Sequence, residues 1–363
     1  MLDKFCELNI ARSKINEKLK KSICEVCNRE NIAEILDILN EKNRLINEDV
    51  LKKEISEIYR NTFEVIGFYD DGYPQLLKQT AEAPIVLMVR GDKNIFIRDC
   101  FAIVGSRELD RNDKDIIEEA VQGVQTIDGV VVSGLAKGSD IVAHIKSMKS
   151  GTIAVMPCGL NNCYPQEHDF FVEKIVDLGG VVVSEFAINE PPRQVNFIKR
   201  NRIITGLSYA TFIARSRSIR SGTMSSANFA KKQGRKVYTY DFDGENGGNK
   251  YLLSNGLAED VGNFDSFSLS LLGDIAEIEA KLLEHQEEAE SGVADKIKSN
   301  RFLFNDYCDA ENLESVKREV LNIARCNNIK VCESNADEVL KKCHEILQID
   351  KKTILKAVLE IVL

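Results

Sequence analysis

The chain reads as an α/β protein: a doubly wound, mainly parallel sheet flanked by helical N- and C-terminal regions. Three observations predict this. Six short apolar runs, "FAIVGS", "GVVVSG", "GTIAVMP", "GVVVSE", "YATFIA" and "RKVYTY", lie between about residues 100 and 240. They are continuous rather than alternating, as strands buried on both faces are. Helical segments such as "NDKDIIEEAVQGVQTI" and "EHDFFVEKIVDLG" separate them, and strand–helix alternation of this length implies right-handed crossovers and a parallel sheet.

In order along the chain, residues 1–60 form a helical region, with Ile32, Ile35, Leu36 and Leu39 on one face. Gly67, Gly72 and Pro74 then break the pattern. "PIVLMVRG" adds a strand signal, and the sheet domain spans 61–262. After Phe264 the strand signals stop, and 263–363 is helical, with a turn expected around Ser291–Gly292. The last helix is apolar at Ile354, Leu355, Val358, Leu359, Ile361 and Val362. It is too short to cross a bilayer, so it is expected to dock on the core or on a partner helix.

The 363 residues carry a net charge of −9 and 44% hydrophobic residues, an ordinary globular composition. No apolar run is long enough to span a membrane and the N-terminus has no secretory pattern, so a cytoplasmic protein is expected. Ten cysteines without regular spacing are expected to be reduced and packed. Cys24 and Cys27 form a CxxC with no second pair at finger-like spacing, so no metal is expected.

Against the acidic whole, residues 193–236 hold eleven Lys or Arg and no Asp or Glu. A solvated face usually mixes signs, so mutual repulsion here calls for an anion. Ligands of open parallel sheets bind at the strands' carboxyl ends. There Gly105, Ser106 and Arg107 end one strand, Ser133 and Gly134 the next, and Ser221, Gly222 and Thr223 open a helix. Small residues, a forked donor and a helix N-terminus all suit phosphate. Phe197 offers a ring that could stack on a base or belong to the core. Neither GxGxxG, GxxxxGK[ST] nor GxSxG is present, so no dinucleotide, P-loop or hydrolase site is predicted. Asp140 and His144, four apart on a helix, read more readily as packing than as an acid–base pair.

The series "YPQLL…APIVLMVRG", "AIVGSR", "VVSGLAKGSDIVAH", "GTIAVMPCGL…YP", "GVVVSE", "NFIKRNRIITGLS" and "RSGTMSSANFAKKQGRKVY" resembles the DNA-processing protein A (DprA, or Smf) family over about 70–240. The resemblance implies an extended Rossmann-like domain that binds single-stranded DNA, forms a homodimer and loads the RecA recombinase during DNA uptake, with no cofactor and no catalytic residue. The nucleic-acid-binding set it implies, joined to the residues above, is Gly105, Ser106, Arg107, Ser133, Gly134, Lys137, Phe197, Lys199, Arg200, Asn201, Arg202, Arg217, Arg220, Ser221, Gly222 and Thr223. The sequence departs from the family at Gly138-Ser139-Asp140, where the family usually has Gly-Ile-Asp, and in the acidic loop after "KVYTY". Two other readings stay open: a divergent member serving in phage defence or a toxin–antitoxin pair, and a nucleotide-binding or phosphoribohydrolase-like protein. The second lacks its expected Glu among Ser225, Ser226, Ala227 and Asn228.

Overall fold

The computed structural model describes residues 4–28, 31–241, 247–299, 313–327, 329–347 and 349–363. Four helices come first: α1 (Phe5–Arg12), α2 (Glu17–Val26), α3 (Ala33–Glu41) and α4 (Glu48–Arg60). The middle runs β1 (Glu64–Gly67), α5 (Gln75–Lys78), β2 (Val86–Gly91), β3 (Cys100–Val104), α6 (Arg111–Thr126), β4 (Val130–Ser133), α7 (Ser139–Ser147), β5 (Thr152–Val155) and α8 (Asp169–Asp177). It continues with β6 (Val181–Ser184), α9 (Gln194–Gly206), β7 (Ala210–Ile213), α10 (Gly222–Lys232), β8 (Lys236–Thr239), α11 (Gly248–Ser254) and β9 (Glu259–Asp260). The chain closes with α12 (Phe267–Ser299), α13 (Leu313–Cys326), α14 (Ala336–Leu347) and α15 (Lys351–Val362). The turn expected at Ser291–Gly292 is absorbed into α12, since one helical glycine costs only about 1 kcal/mol.

Among the described residues the strands form one nine-stranded sheet, in the order β1-β2-β6-β5-β4-β3-β7-β8-β9. β1 pairs antiparallel with β2, and β2 antiparallel with β6; every other pairing is parallel. The central strands are buried at every position, which is why their sequences are unbroken apolar runs. From β3 the chain builds outward through β4, β5 and β6. α9 then carries it back, and β7 pairs with the other side of β3, Ala102 lying between Val132 and Thr211. The winding direction reverses at β3, so the crevice between the β3 and β7 ends is the place for a ligand.

The chain divides into two compact units, Lys53–Ala280 and Met1–Lys52 with Lys281–Leu363. The sheet unit is wider than 61–262 at both ends because flanking helices contribute to its core and hydrogen bonds. Glu54 of α4 accepts from the Ile188 backbone NH at 3.3 Å. On α12, Phe267 packs on Phe212 and Tyr238, and Asp274 accepts from the Tyr238 hydroxyl at 2.8 Å.

In the other unit the N- and C-terminal helices fold together. α15 buries Ile354, Leu355, Val358 and Leu359 against α13, α14, α2 and α3. Glu34 pairs with Lys352 and Lys356, and Lys42 with Glu360 at 3.0 Å. Cys24 and Cys27 are buried there; among the described residues no cluster of His, Cys, Asp or Glu could hold a metal ion. No helix among them is long and apolar enough to cross a membrane.

Candidate nucleic-acid interface

Three loops interlock at the carboxyl end of β3. The Ser106 carbonyl accepts from the Ser139 NH at 3.0 Å and from its hydroxyl at 3.1 Å. A methyl group on Gly105 would stand 2.3 Å from Ser139 Oγ and 3.1 Å from the Arg215 nitrogen; glycine is what lets the loops close this tightly. Arg107 projects outward and is exposed. Its guanidinium lies 5.6 Å from the centre of the Phe197 ring, within cation–π range. Phe197 meets Tyr164 edge-on at 5.1 Å. Phe197 is half-buried and Tyr164 exposed, so the two rings form a ledge with Arg107 over the Phe197 ring.

The carboxylate-free stretch has a different explanation over much of its length. Of its eleven cations, Arg200, Arg202, Arg215 and Arg235 are buried. Arg202 makes a forked pair with Glu185, both distances 2.6 Å, and lies 3.9 Å from Glu82. Arg215 reaches Asp110 at 3.3 Å and Asp113 at 3.1 Å. Lys236 pairs with Asp274 at 3.0 Å. For Arg202, Arg215 and Lys236 the compensating anions are thus the protein's own, supplied by segments distant in sequence.

Arg200 is a fastener rather than a surface cation. Its Nη1 donates to the Gly134 and Val155 carbonyls, both at 2.5 Å, and its Nε to Asn201 Oδ1 at 3.1 Å. It ties α9 to the carboxyl ends of β4 and β5. Burial pulls its pKa down, opposed by the Asp140 carboxylate. The expectation that Arg200 and Arg202 face a phosphate is corrected: both are about 3% exposed and hold protein partners.

Other expected residues divide similarly. Ser133 is fully buried, its hydroxyl donating to the Ile103 carbonyl at 2.6 Å. Gly134 lies beneath the Arg200 guanidinium. Lys137 is exposed but pairs with Glu167 at 2.8 Å. Asn201 donates to Ser225 Oγ at 2.8 Å and faces the Gly222 carbonyl at 3.4 Å, fixing α9 to the start of α10. Thr223 is buried, whereas Gly222 and Arg220 are exposed and Ser221 is half-buried. Lys199 is exposed on α9. Arg217 is half-exposed; its Nη2 donates to the Glu108 carbonyl at 3.4 Å and lies 3.9 Å from the Asp113 carboxylate.

The helix N-termini also differ. At the start of α6, Asp110 and Asp113 cap the helix reciprocally, filling the place of an anion with carboxylates. α10 has no side-chain cap and no acid in its first turn. Its positive end therefore remains available, beside Arg217 and Arg220.

Asp140 and His144 are structural, as the spacing suggested. Thr152 Oγ1 donates to the Val131 carbonyl at 2.9 Å, so His144 Nδ1 must donate to Thr152 Oγ1 at 2.8 Å. His144 Nε2 accepts from the Leu135 NH at 3.3 Å. Burial, with help from Arg200 and His168, pushes the imidazole pKa down to about 3. A depressed histidine contributes stability above its unfolded pKa, ~6.5, and loses it as pH falls toward the folded value. Between pH 7 and 5 this amounts to about 2 kcal/mol. Asp140 acts with the opposite sign, since burial raises its pKa. The difference between wild type and His144→Gln isolates the histidine: the urea midpoint of the variant should fall less steeply from pH 7 to 5. Parallel pH profiles would show that His144 is not held neutral.

Tyr164 is the ledge residue that motif reading overlooked; only its place in "CYP", after a strand, marked it. A family described as DNA recombination-mediator protein A matches residues 64–271. DNA processing protein DprA of Streptococcus pneumoniae is 33% identical over 202 residues, covering 53% of this chain and 70% of the relative. Protein Smf of Escherichia coli is 34% identical over 168 residues, covering 46% of this chain and 45% of the relative. The X-ray structure of the Streptococcus pneumoniae protein superimposes with a TM-score of 0.55 at 30% identity, over 62% of this chain and 78% of that one. The Helicobacter pylori DNA processing protein A, studied for its single-stranded DNA binding mode, does so with a TM-score of 0.53 at 26% identity, over 58% and 96%. With more than half its length matched, and most of the sheet unit included, this chain belongs to the DNA recombination-mediator protein A family.

Proposed function

We propose that this chain is a DNA-processing protein that binds single-stranded DNA without catalysing a reaction on it. The strand lies along the rim formed by Arg107, the Phe197–Tyr164 ledge, Lys199, Arg217, Arg220 and the N-terminus of α10. The ledge carries the reading: an exposed arginine over the Phe197 ring, which itself meets Tyr164 edge-on, where the sheet's winding reverses, offers charge to a phosphate and ring surface to a base. Stacking needs an unpaired base, which favours a single strand over a duplex. Contacts to phosphates and ring faces leave base edges unread, so sequence preference is weak. Kinship with a Helicobacter pylori protein studied for single-stranded DNA binding supports the choice of ligand.

The test is a salt titration of labelled oligo-dT, wild type against Arg107→Ala/Arg220→Ala. Both side chains are exposed, so the unfolding midpoint should not move. Each lost phosphate contact lowers the log–log salt slope by ~0.7, so the double variant should lose roughly 1.4 from the slope and about tenfold in affinity at moderate salt. An unchanged slope would remove the rim from the binding site.

A further inference from the structure

Beyond Arg217 the surface opens into a pocket of ≈ 450 Å³, lined among others by Arg217, Ile219, Lys250, Tyr251, Ser254 and Asn255. Its volume falls within the range of small-ligand sites. No described carboxylate lines it, and Lys250 is exposed, with no ion pair among the described residues. Tyr251 is 40% exposed, enough ring face for a partner.

The pocket's two walls are locked together. Ser216, next to Arg217, donates its NH to Asn249 Oδ1 at 2.5 Å, and its carbonyl accepts from the Gly248 NH at 2.6 Å. Asn249 is buried and donates to Thr239 Oγ1 at 2.6 Å. A methyl group on Gly248 would stand 2.1 Å from Ser216 Oγ. α11 is thus seated against the loop that carries Arg217, and Tyr251 and Lys250 are held beside it. Arg217 also touches the Glu108 carbonyl, one residue beyond Arg107, which makes the pocket continuous with the rim.

We propose that this pocket is a nucleotide subsite at one end of the strand's path, with Tyr251 stacking on a base and Lys250 and Arg217 holding its phosphate. The assignment rests on the single-stranded DNA reading above. The chain has no tryptophan, so Tyr251→Trp places a sole indole reporter in the pocket. With the full chain, oligo-dT of about 15 nucleotides should quench its fluorescence and oligo-dT of about 5 much less, both lengths lying within the site sizes of single-strand binders. Tyr251→Ala should weaken the longer oligonucleotide roughly five- to tenfold, from the usual worth of one base–aromatic stack, and the shorter one little. Arg107→Ala should weaken both. If Arg107→Ala weakens binding while the indole reporter stays unquenched and Tyr251→Ala binds like wild type, the subsite is wrong and the rim stands. Quenching by thymidine monophosphate that longer strands do not improve overturns the strand assignment. A wild type that binds no oligonucleotide overturns both readings.

Discussion

Arg200→Ala is expected to destabilise the sheet unit by about 3–5 kcal/mol, the usual consequence of removing one partner from a buried charged network. The guanidinium satisfies two carbonyls, at Gly134 and Val155. Alanine would leave both without this donor, at about 1–3 kcal/mol each. It would also open a cavity and deprive the buried Asp140 of its counter-charge. Protonation of Asp140, whose pKa burial already raises, would soften the last loss. Lysine cannot reproduce the fork, so Arg200→Lys should recover only part of the stability. Circular dichroism in urea would show a lower midpoint with an unchanged slope, the mark of lost native stability. Binding by the folded fraction should keep the wild-type salt slope, because no phosphate contact is removed. A variant that unfolds like wild type but loses about 0.7 from the slope would return Arg200 to the DNA surface.

That contrast shows what the sequence could and could not reveal. The strands were legible because the central ones are buried on both faces, and such burial writes itself as runs like "VVVS" in β4 and β6. β1 and β9 are short edges, and their residues carry no such run. α9 has no helical signature in the sequence because its pattern is inverted: Arg200 and Arg202 point inward, while Val195 and Ile198 are exposed. A helix that buries arginine and exposes valine has no apolar stripe to find. The same inversion misled the charge argument. Residues 193–236 contain no acid, yet Glu185, Asp110, Asp113 and Asp274 arrive from other elements. Ion pairing is a property of space, and a sequence window cannot see it. At the strand ends the small residue Gly105 is legible as a place of close approach, and a side chain there would meet Ser139 and the Arg215 backbone.

Gly138→Ala should separate the position of that loop from the charge upon it. Gly138 sits at φ 77°, ψ −123° at the start of α7, a conformation that costs a side chain about 1–3 kcal/mol. An alanine methyl there would lie 2.2 Å from the Ser106 carbonyl oxygen and 2.6 Å from Arg107 Cα. Both are backbone atoms, so the loop must move as a body, adding roughly 1–3 kcal/mol of overpacking. The displaced loop carries Arg107 away from Phe197 and takes the ledge apart. Gly179→Ala is the matched control. Gly179 has φ 83° with nothing within 4 Å of the new methyl, and it lies just before β6, at the amino ends of the parallel strands. Both variants should lose stability through backbone strain. Only Gly138→Ala should also lose oligo-dT affinity, by about tenfold in the folded fraction, as expected when one phosphate contact and one stack are misplaced together. Equal affinity of the two folded variants would mean that the interlock of Ser106, Gly138 and Ser139 does not set where DNA binds.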